Sequence, residues 1–342
     1  MKALVKTASG IGNLEVLDLP EPIPAPYQLK VEVKVGAICG TDLHIHDDQY
    51  TNCPPMVLGH EMSGVVAEIG AKVTRFKVGD RVTSETFKHT CGRCRFCRDG
   101  LLGLCIHRES MGVHVDGAFA KYVCQREEIL HRLPGSVDFE AGSMSEPTAV
   151  AVRAVYERAT ISPGDVVLVS GPGPVGLLCL QAAKTRGATV VLVGTGGDEH
   201  RLAVGSDLGA DVVINAETDS LDLILEMTDG LGADVTMECG GSSPSLNQCI
   251  AFARKAAQVV MVGLPAHQIA VNMDQAVIKE LTILPSFTYS HETWKLALRL
   301  LGEGVIRTGP LVSSRFLLTQ WKVAFDTVRS RKGIKCLLLP VD

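Results

Sequence analysis

The sequence has no apolar run approaching the length of a membrane span, which excludes a membrane-crossing helix. Its start, Met1-Lys2-Ala3-Leu4-Val5-Lys6, lacks the apolar core of an export signal and reads as the entry to a strand. There is no basic tail and no long run of one charge. With a net charge of −5, this argues against a dedicated nucleic-acid partner. No low-complexity stretch and no repeat at solenoid spacing is visible. What is present completes the picture. Of 342 residues, 46% are hydrophobic and 21% charged, enough to fill two cores and too apolar for a disordered chain. Eleven cysteines is a high and odd number. Without an export signal, reduced thiols or metal ligands are favoured over a disulfide framework, and the expected compartment is a reducing cytoplasm.

The stretch that organises the chain is Val166-Val167-Leu168-Val169-Ser170-Gly171-Pro172-Gly173-Pro174-Val175-Gly176. A short apolar run ends in G-x-G-x-x-G and passes into a helical pattern. Glycines there let the backbone approach a pyrophosphate, and the helix N-terminus offers unpaired N–H groups. Pro174 suits the first helical turn, where its missing N–H costs nothing. Glycines also simply make turns, so the signal depends on its context. That context is an alternation of strands and helices. Strands are expected at 166–170, 190–193, 211–214, 234–238, 258–262 and 282–284, with helical spacing over 291–302 and 320–329. The pattern predicts a parallel α/β sheet. Before residue 150 the grammar differs. It is glycine-rich and β-rich, as in Leu29-Lys30-Val31-Glu32-Val33-Lys34-Val35, which alternates with period two.

Cys91, Cys94, Cys97 and Cys105 form C-x2-C-x2-C-x7-C, four thiolates within one small lobe. Four thiolates satisfy a tetrahedral structural zinc site. An iron–sulfur cluster is the rival, since C-x2-C-x2-C also opens ferredoxin-type sites; the spacing of the fourth cysteine and the lack of a following proline disfavour it. The remaining cysteines read as small core residues.

Cys39-Gly40-Thr41-Asp42, Gly59-His60-Glu61, the four-cysteine lobe, Ser145-Glu146-Pro147 and the glycine turn occur in one order. Together they resemble the zinc-dependent medium-chain dehydrogenases across essentially the whole chain, most of all the polyol and L-threonine 3-dehydrogenase branches. The resemblance implies a GroES-like β-rich catalytic domain from 1–150 and 288–342, with a zinc lobe at about 89–107. A Rossmann domain would occupy 151–287. It implies two zinc ions per chain and NAD or NADP. The structural ion falls to Cys91, Cys94, Cys97 and Cys105. The catalytic ion falls to Cys39 and His60 with Glu61 or Glu146, because the cysteine that classical alcohol dehydrogenases use as third ligand is absent near 146. Zinc then acts as a Lewis acid that favours the alkoxide. Thr41 passes the proton on, and His44 stands at the surface end of that relay. Expected dinucleotide contacts are Gly171, Gly173, Pro174, Val175, Gly176, Thr195, Asp198, Arg201, Val262, Gly263 and Leu264. Tyr50, Phe119, Phe287 and Tyr289 are the expected pocket residues, although aromatic side chains at such places are as often core.

Two departures stand out. Where an NAD enzyme usually carries an acid for the ribose, this chain has Gly194-Thr195-Gly196-Gly197, and Asp198 arrives late. Three readings stay open: room for a 2′-phosphate aided by His200 or Arg201, a loop that bends back to present Asp198, or Asp198 as a helix cap. The expectation is that NADP is at least tolerated. Thr288 stands where sorbitol dehydrogenases have a substrate-touching arginine, which puts sorbitol itself in doubt, and the expected substrate is a secondary alcohol of a polyol, sugar or cyclitol, oxidised to a ketone. An L-threonine 3-dehydrogenase is the alternative within the class. A non-catalytic nucleotide-sensing or zinc-ribbon protein, with Arg93, Arg95 and Arg98 meeting phosphates, is the alternative outside it. By analogy the chain would form a homodimer or homotetramer, with no membrane or nucleic-acid partner.

Overall fold

The computed structural model describes residues 1–341. The chain divides into two compact units. The first comprises Met1–Glu146, Leu301–Glu303 and the chain from Thr308 on; the second comprises Pro147–Leu300 and Gly304–Arg307.

The first unit is built on the strand Gln28–Ala37. Its odd-numbered residues Leu29, Val31, Val33 and Val35 are buried while Lys30, Glu32 and Lys34 between them are only partly so, as the alternation predicts. Glu61–Ile69 pairs with it on one side and the C-terminal strand Lys335–Leu339 on the other, both antiparallel. The sheet continues through Arg81–Ser84 and Leu130–Arg132 at one end and Val312–Leu317 at the other. The C-terminal strand therefore brings residues from the end of the chain beside Ala37 and Glu61, which face each other in register. A second apolar cluster joins Ile38, Ile45, Leu58, Phe119, Trp321 and Phe325, and seats the helix Gly40–His46.

The second unit is a six-stranded parallel sheet. Its spatial order is Val212–Asn215, Thr189–Gly194, Val166–Ser170, Ala233–Glu238, Ala253–Met261 and Thr282–Pro285. In chain terms this is 3-2-1-4-5-6, the doubly wound Rossmann order. Val167, Leu168, Val169, Val190, Val191 and Leu192 are fully buried in a row, which is why the sequence shows apolar runs there and not alternation. The fifth strand begins at Ala253, earlier than the expected 258. The register shifts between Ala233 and Val235, and Arg254 pairs with Asp234 at 2.7 Å, so the strand opens on polar residues that hide it from hydrophobic periodicity.

Candidate functional site: a metal cluster and a dinucleotide turn

In the first unit, Cys39 caps the helix Gly40–His46 in extended conformation. Asp42, at the third helical position, accepts the Cys39 N–H at 2.9 Å. A carboxylate in that turn suits both the free N–H group and the positive end of the helix. Gly59 holds a φ of +92°, and a Cβ there would strike the Phe119 ring, so only glycine lets the chain turn into His60 and Glu61. Cys39, His60 and Glu61 offer a sulfur, an imidazole nitrogen and a carboxylate oxygen, all within 4.8 Å of one another.

Of this trio His60 and Glu61 are buried and Cys39 is half-buried. His60 is buried, and Asp42 is fully buried with its Oδ1 3.4 Å from His60 Nδ1. Burial alone would depress the imidazolium, but the Asp42 carboxylate and Cys39 hold its pKa well above the usual histidine range. A thiolate, an imidazole and a carboxylate brought together are the donor set of a zinc ion, so the residues fit that metal. Asp42 facing Nδ1 leaves Nε2 for the ion, the arrangement that fixes a metal-binding histidine. Asp42→Asn is expected to weaken metal binding about 10- to 100-fold with little loss of fold, measured by zinc release to a chelator.

Glu61 is not free. Its carboxylate meets the Lys335 ammonium at 2.7 Å through Oε1 and 2.6 Å through Oε2. Lys335 also donates to Ile38 O at 3.0 Å, and both members of the pair are buried. Burial pulls the Lys335 pKa down, but Glu61 and Cys39 hold it above the usual lysine range. Glu146 lies at the start of the helix Ser145–Arg153, outside the trio. Burial first, and then the Glu61 carboxylate, push it up to about 7 against the pull of His60. Thr41 Oγ1 lies 3.7 Å from Cys39 Sγ. His44, three residues further along the same helix, is half-buried and contacts Gln49 Oε1 at 3.3 Å.

The four cysteines of the lobe converge. Cys91 lies 3.6 Å from Cys105 and 4.0 Å from Cys97, and Cys94 lies 3.5 Å from Cys97. Backbone N–H groups point at the sulfurs: Cys94 N to Cys91 at 3.4 Å, Cys91 N to Cys105 at 3.3 Å and His107 N to Cys105 at 3.4 Å. Such donors bring Cys91 down to about 6, while burial and its sulfur neighbours push Cys97 up to about 12. One thiol ionises readily and another resists a second negative charge beside it. A divalent cation relieves that conflict, which fits zinc. Cys97→Ser is expected to remove one zinc per chain and lower the thermal midpoint while the Cys39 trio keeps its metal, checked by metal analysis beside a melting curve.

In the second unit, Gly171 ends the first strand with a φ of +104°, and Gly173 caps the helix Pro174–Lys184, with Pro174 leading its first turn. A Cβ on Gly176 would strike Gly171 O, so the helix can start this close to the strand only with glycine. Val262 N and Gly263 N both donate to Glu238 O at 2.9 Å, which sets these two residues and Leu264 at the carboxyl end of the sheet. Asp198 precedes the helix Glu199–Asp207 but makes no cap hydrogen bond to it. Its carboxylate accepts instead from Thr195 N at 3.2 Å and Thr195 Oγ1 at 3.1 Å.

The expected pocket residues fare differently. Phe119 is 1% exposed and is a core residue over Gly59, and Tyr289 is 1% exposed and packs edge-on against Trp294 at 4.7 Å. Neither reaches solvent; the apolar packing of each unit holds both rings. Tyr50 is half-buried against the cluster of Phe119 and Trp321. Phe287 alone of the four is exposed. Two residues of the metal cluster escaped sequence reasoning. Asp42 stood inside a recognised motif without a role. Lys335 lies 274 residues from Glu61, and no local pattern marks it.

Both parts of the chain match known domain families. Residues 25–135 match the alcohol dehydrogenase GroES-like domain, and residues 174–303 match the zinc-binding dehydrogenase domain. A sorbitol dehydrogenase of Halalkalibacterium halodurans is 42% identical over all of both chains. A D-arabitol-phosphate dehydrogenase of Enterococcus avium is 37% identical over 99% of this chain and 97% of its own. Among solved structures, a zinc-binding dehydrogenase of Sinorhizobium meliloti bound to NADP superposes with a TM-score of 0.91 at 28% identity, over 99% of each chain.

Proposed function

Since the chain belongs to the zinc-dependent medium-chain dehydrogenases, we propose that it oxidises a secondary alcohol of a polyol or sugar to a ketone, with NAD(P) as acceptor. The observation that carries this is the trio of Cys39, His60 and Glu61, the last two buried, together with a Rossmann sheet and its glycine turn. We assign the first unit to the metal and the alcohol and the second to the dinucleotide.

A catalytic zinc, when bound, supplies the Lewis acidity that lowers the pKa of an alcohol. The chain's own residues do the rest. Cys39 and His60 are two ligands. Glu61, its carboxylate held by Lys335, is the third, and Glu146 is the buried carboxylate beside it. Asp42 orients His60. The Thr41 hydroxyl accepts the alcohol proton as it gives up its own, and His44, one helical turn away, hands a proton on to water. Gly171, Gly173 and Gly176 admit the pyrophosphate to the helix that Pro174 and Val175 open.

The polyol class is supported by the two curated relatives, whose names specify a hexitol and a pentitol phosphate. Purified enzyme offered polyols, sugar acids, polyol phosphates, primary alcohols and L-threonine should reduce NAD(P) fastest with a polyol or its phosphate. Turnover confined to simple primary alcohols or to threonine would overturn the substrate class. For assembly we infer a homodimer through the free edge of the Thr282–Pro285 strand, next to which Val277 and Ile278 stand exposed. All eleven cysteines are unpaired, which favours a reducing compartment such as the cytoplasm.

A further inference from the structure

The dinucleotide unit lacks an acid where its fold calls for one. In a Rossmann unit an Asp or Glu about 20 residues beyond the glycine turn accepts the ribose 2′-hydroxyl. Counting from Gly176, that slot is Gly196 (196 − 176 = 20). The acids nearest in sequence are both engaged. Asp198 is 4% exposed and accepts from Thr195 N and Oγ1, and its Oδ1 lies 3.4 Å from Arg201 Nη1. Arg201, the cation on this loop that could meet a 2′-phosphate, is thereby drawn to Asp198. Glu199 turns back to accept the Gly197 N–H at 3.1 Å.

A third acid reaches the slot from the neighbouring strand. Thr189–Gly194 and Val212–Asn215 run parallel with Gly194 opposite Asn215. Two residues further along each segment, Gly196 meets Glu217. A Cβ built on Gly196 would collide with the Glu217 carboxylate and lie 3.0 Å from its Cδ. The carboxylate occupies the place where the slot's own side chain would be. Glu217 is exposed, as a group that meets a ligand from solvent must be. The glycine is what makes room for it, which explains why the loop reads Gly-Thr-Gly-Gly rather than carrying its own acid.

We propose that Glu217 is the specificity residue for the dinucleotide: it accepts the ribose 2′-hydroxyl of NAD and repels the 2′-phosphate of NADP. The inference rests on the dinucleotide reading of the second unit. It reverses the expectation that the glycine loop simply leaves space for a phosphate. A carboxylate facing a phosphate is a like-charge contact, which discriminates by building a penalty against the wrong ligand.

The test needs no substrate. Wild type, Glu217→Gln and Glu217→Lys are titrated with NADH and NADPH by nicotinamide fluorescence, at low and at high salt. Wild type should bind NADH at least about tenfold more tightly than NADPH, with the gap narrowing in high salt. Glu217→Gln should gain NADPH affinity and reduce the gap below about threefold, and Glu217→Lys should favour NADPH. Wild type that prefers NADPH, or a gap unchanged in both variants, would overturn the inference and leave the dinucleotide reading intact. Failure of wild type to bind either cofactor would overturn both.

Discussion

Cys39→Ser is expected to lower kcat by ~1000-fold or more while the chain stays folded. Metal Lewis acidity contributes several kcal/mol to such a reaction, and each 1.4 kcal/mol is about tenfold. Serine is a poor zinc ligand, and without the sulfur only His60 and Glu61 of the trio remain. Stability should change by less than about 1 kcal/mol, because Cys39 is half-buried at a helix cap and lies outside the apolar clusters. The check is turnover on the best polyol beside a thermal melt. A serine variant that keeps a tenth or more of wild-type kcat would show that the chemistry lies elsewhere.

Lys335→Met should be the most destabilising single change near the site. It strips a buried carboxylate of its partner, and breaking such a pair costs about 3–5 kcal/mol because a charge is left uncompensated. The double variant Lys335→Met with Glu61→Gln removes the stranded charge and should recover most of that loss, a coupling that a double-mutant cycle measures directly. Lys335→Arg should keep the fold. The pH dependence has a definite sign. The folded pKa of Lys335 is raised above 10.5, so its contribution is fully present below that value and is lost as pH climbs through the raised one. Additive single effects in the cycle would mean the ion pair is not a unit.

The two units were legible in the sequence to different depths. The Rossmann sheet announced itself because strands buried on both faces read as plain apolar runs, and the glycine turn marks the switch point between the first and fourth strands. The fifth strand was shortened at its start, since a register shift and the Arg254–Asp234 pair replace periodicity with polar residues. Cys39 and His60 were legible as motifs, and the fold does bring them together. The support behind them was not. Lys335 reaches Glu61 only because the C-terminal strand pairs with Gln28–Ala37, a contact across nearly the whole chain. Asp198 illustrates a different limit. Its place before a helix suggests a cap, but the side chain satisfies the loop behind it, and spacing alone does not say which way a carboxylate turns. Phe119 and Tyr289 show the same for aromatic rings, which packing drew inward.

One chain should hold a structural zinc in the cysteine lobe and a chemically distinct zinc at Cys39 and His60. Zinc content per chain tests it most directly, measured on wild type, Cys39→Ser and Cys97→Ser after dialysis. Wild type should hold about two zinc ions and each variant about one, with turnover lost in Cys39→Ser. A wild type that holds a single zinc, lost on replacing Cys97 and untouched by replacing Cys39, would contradict it.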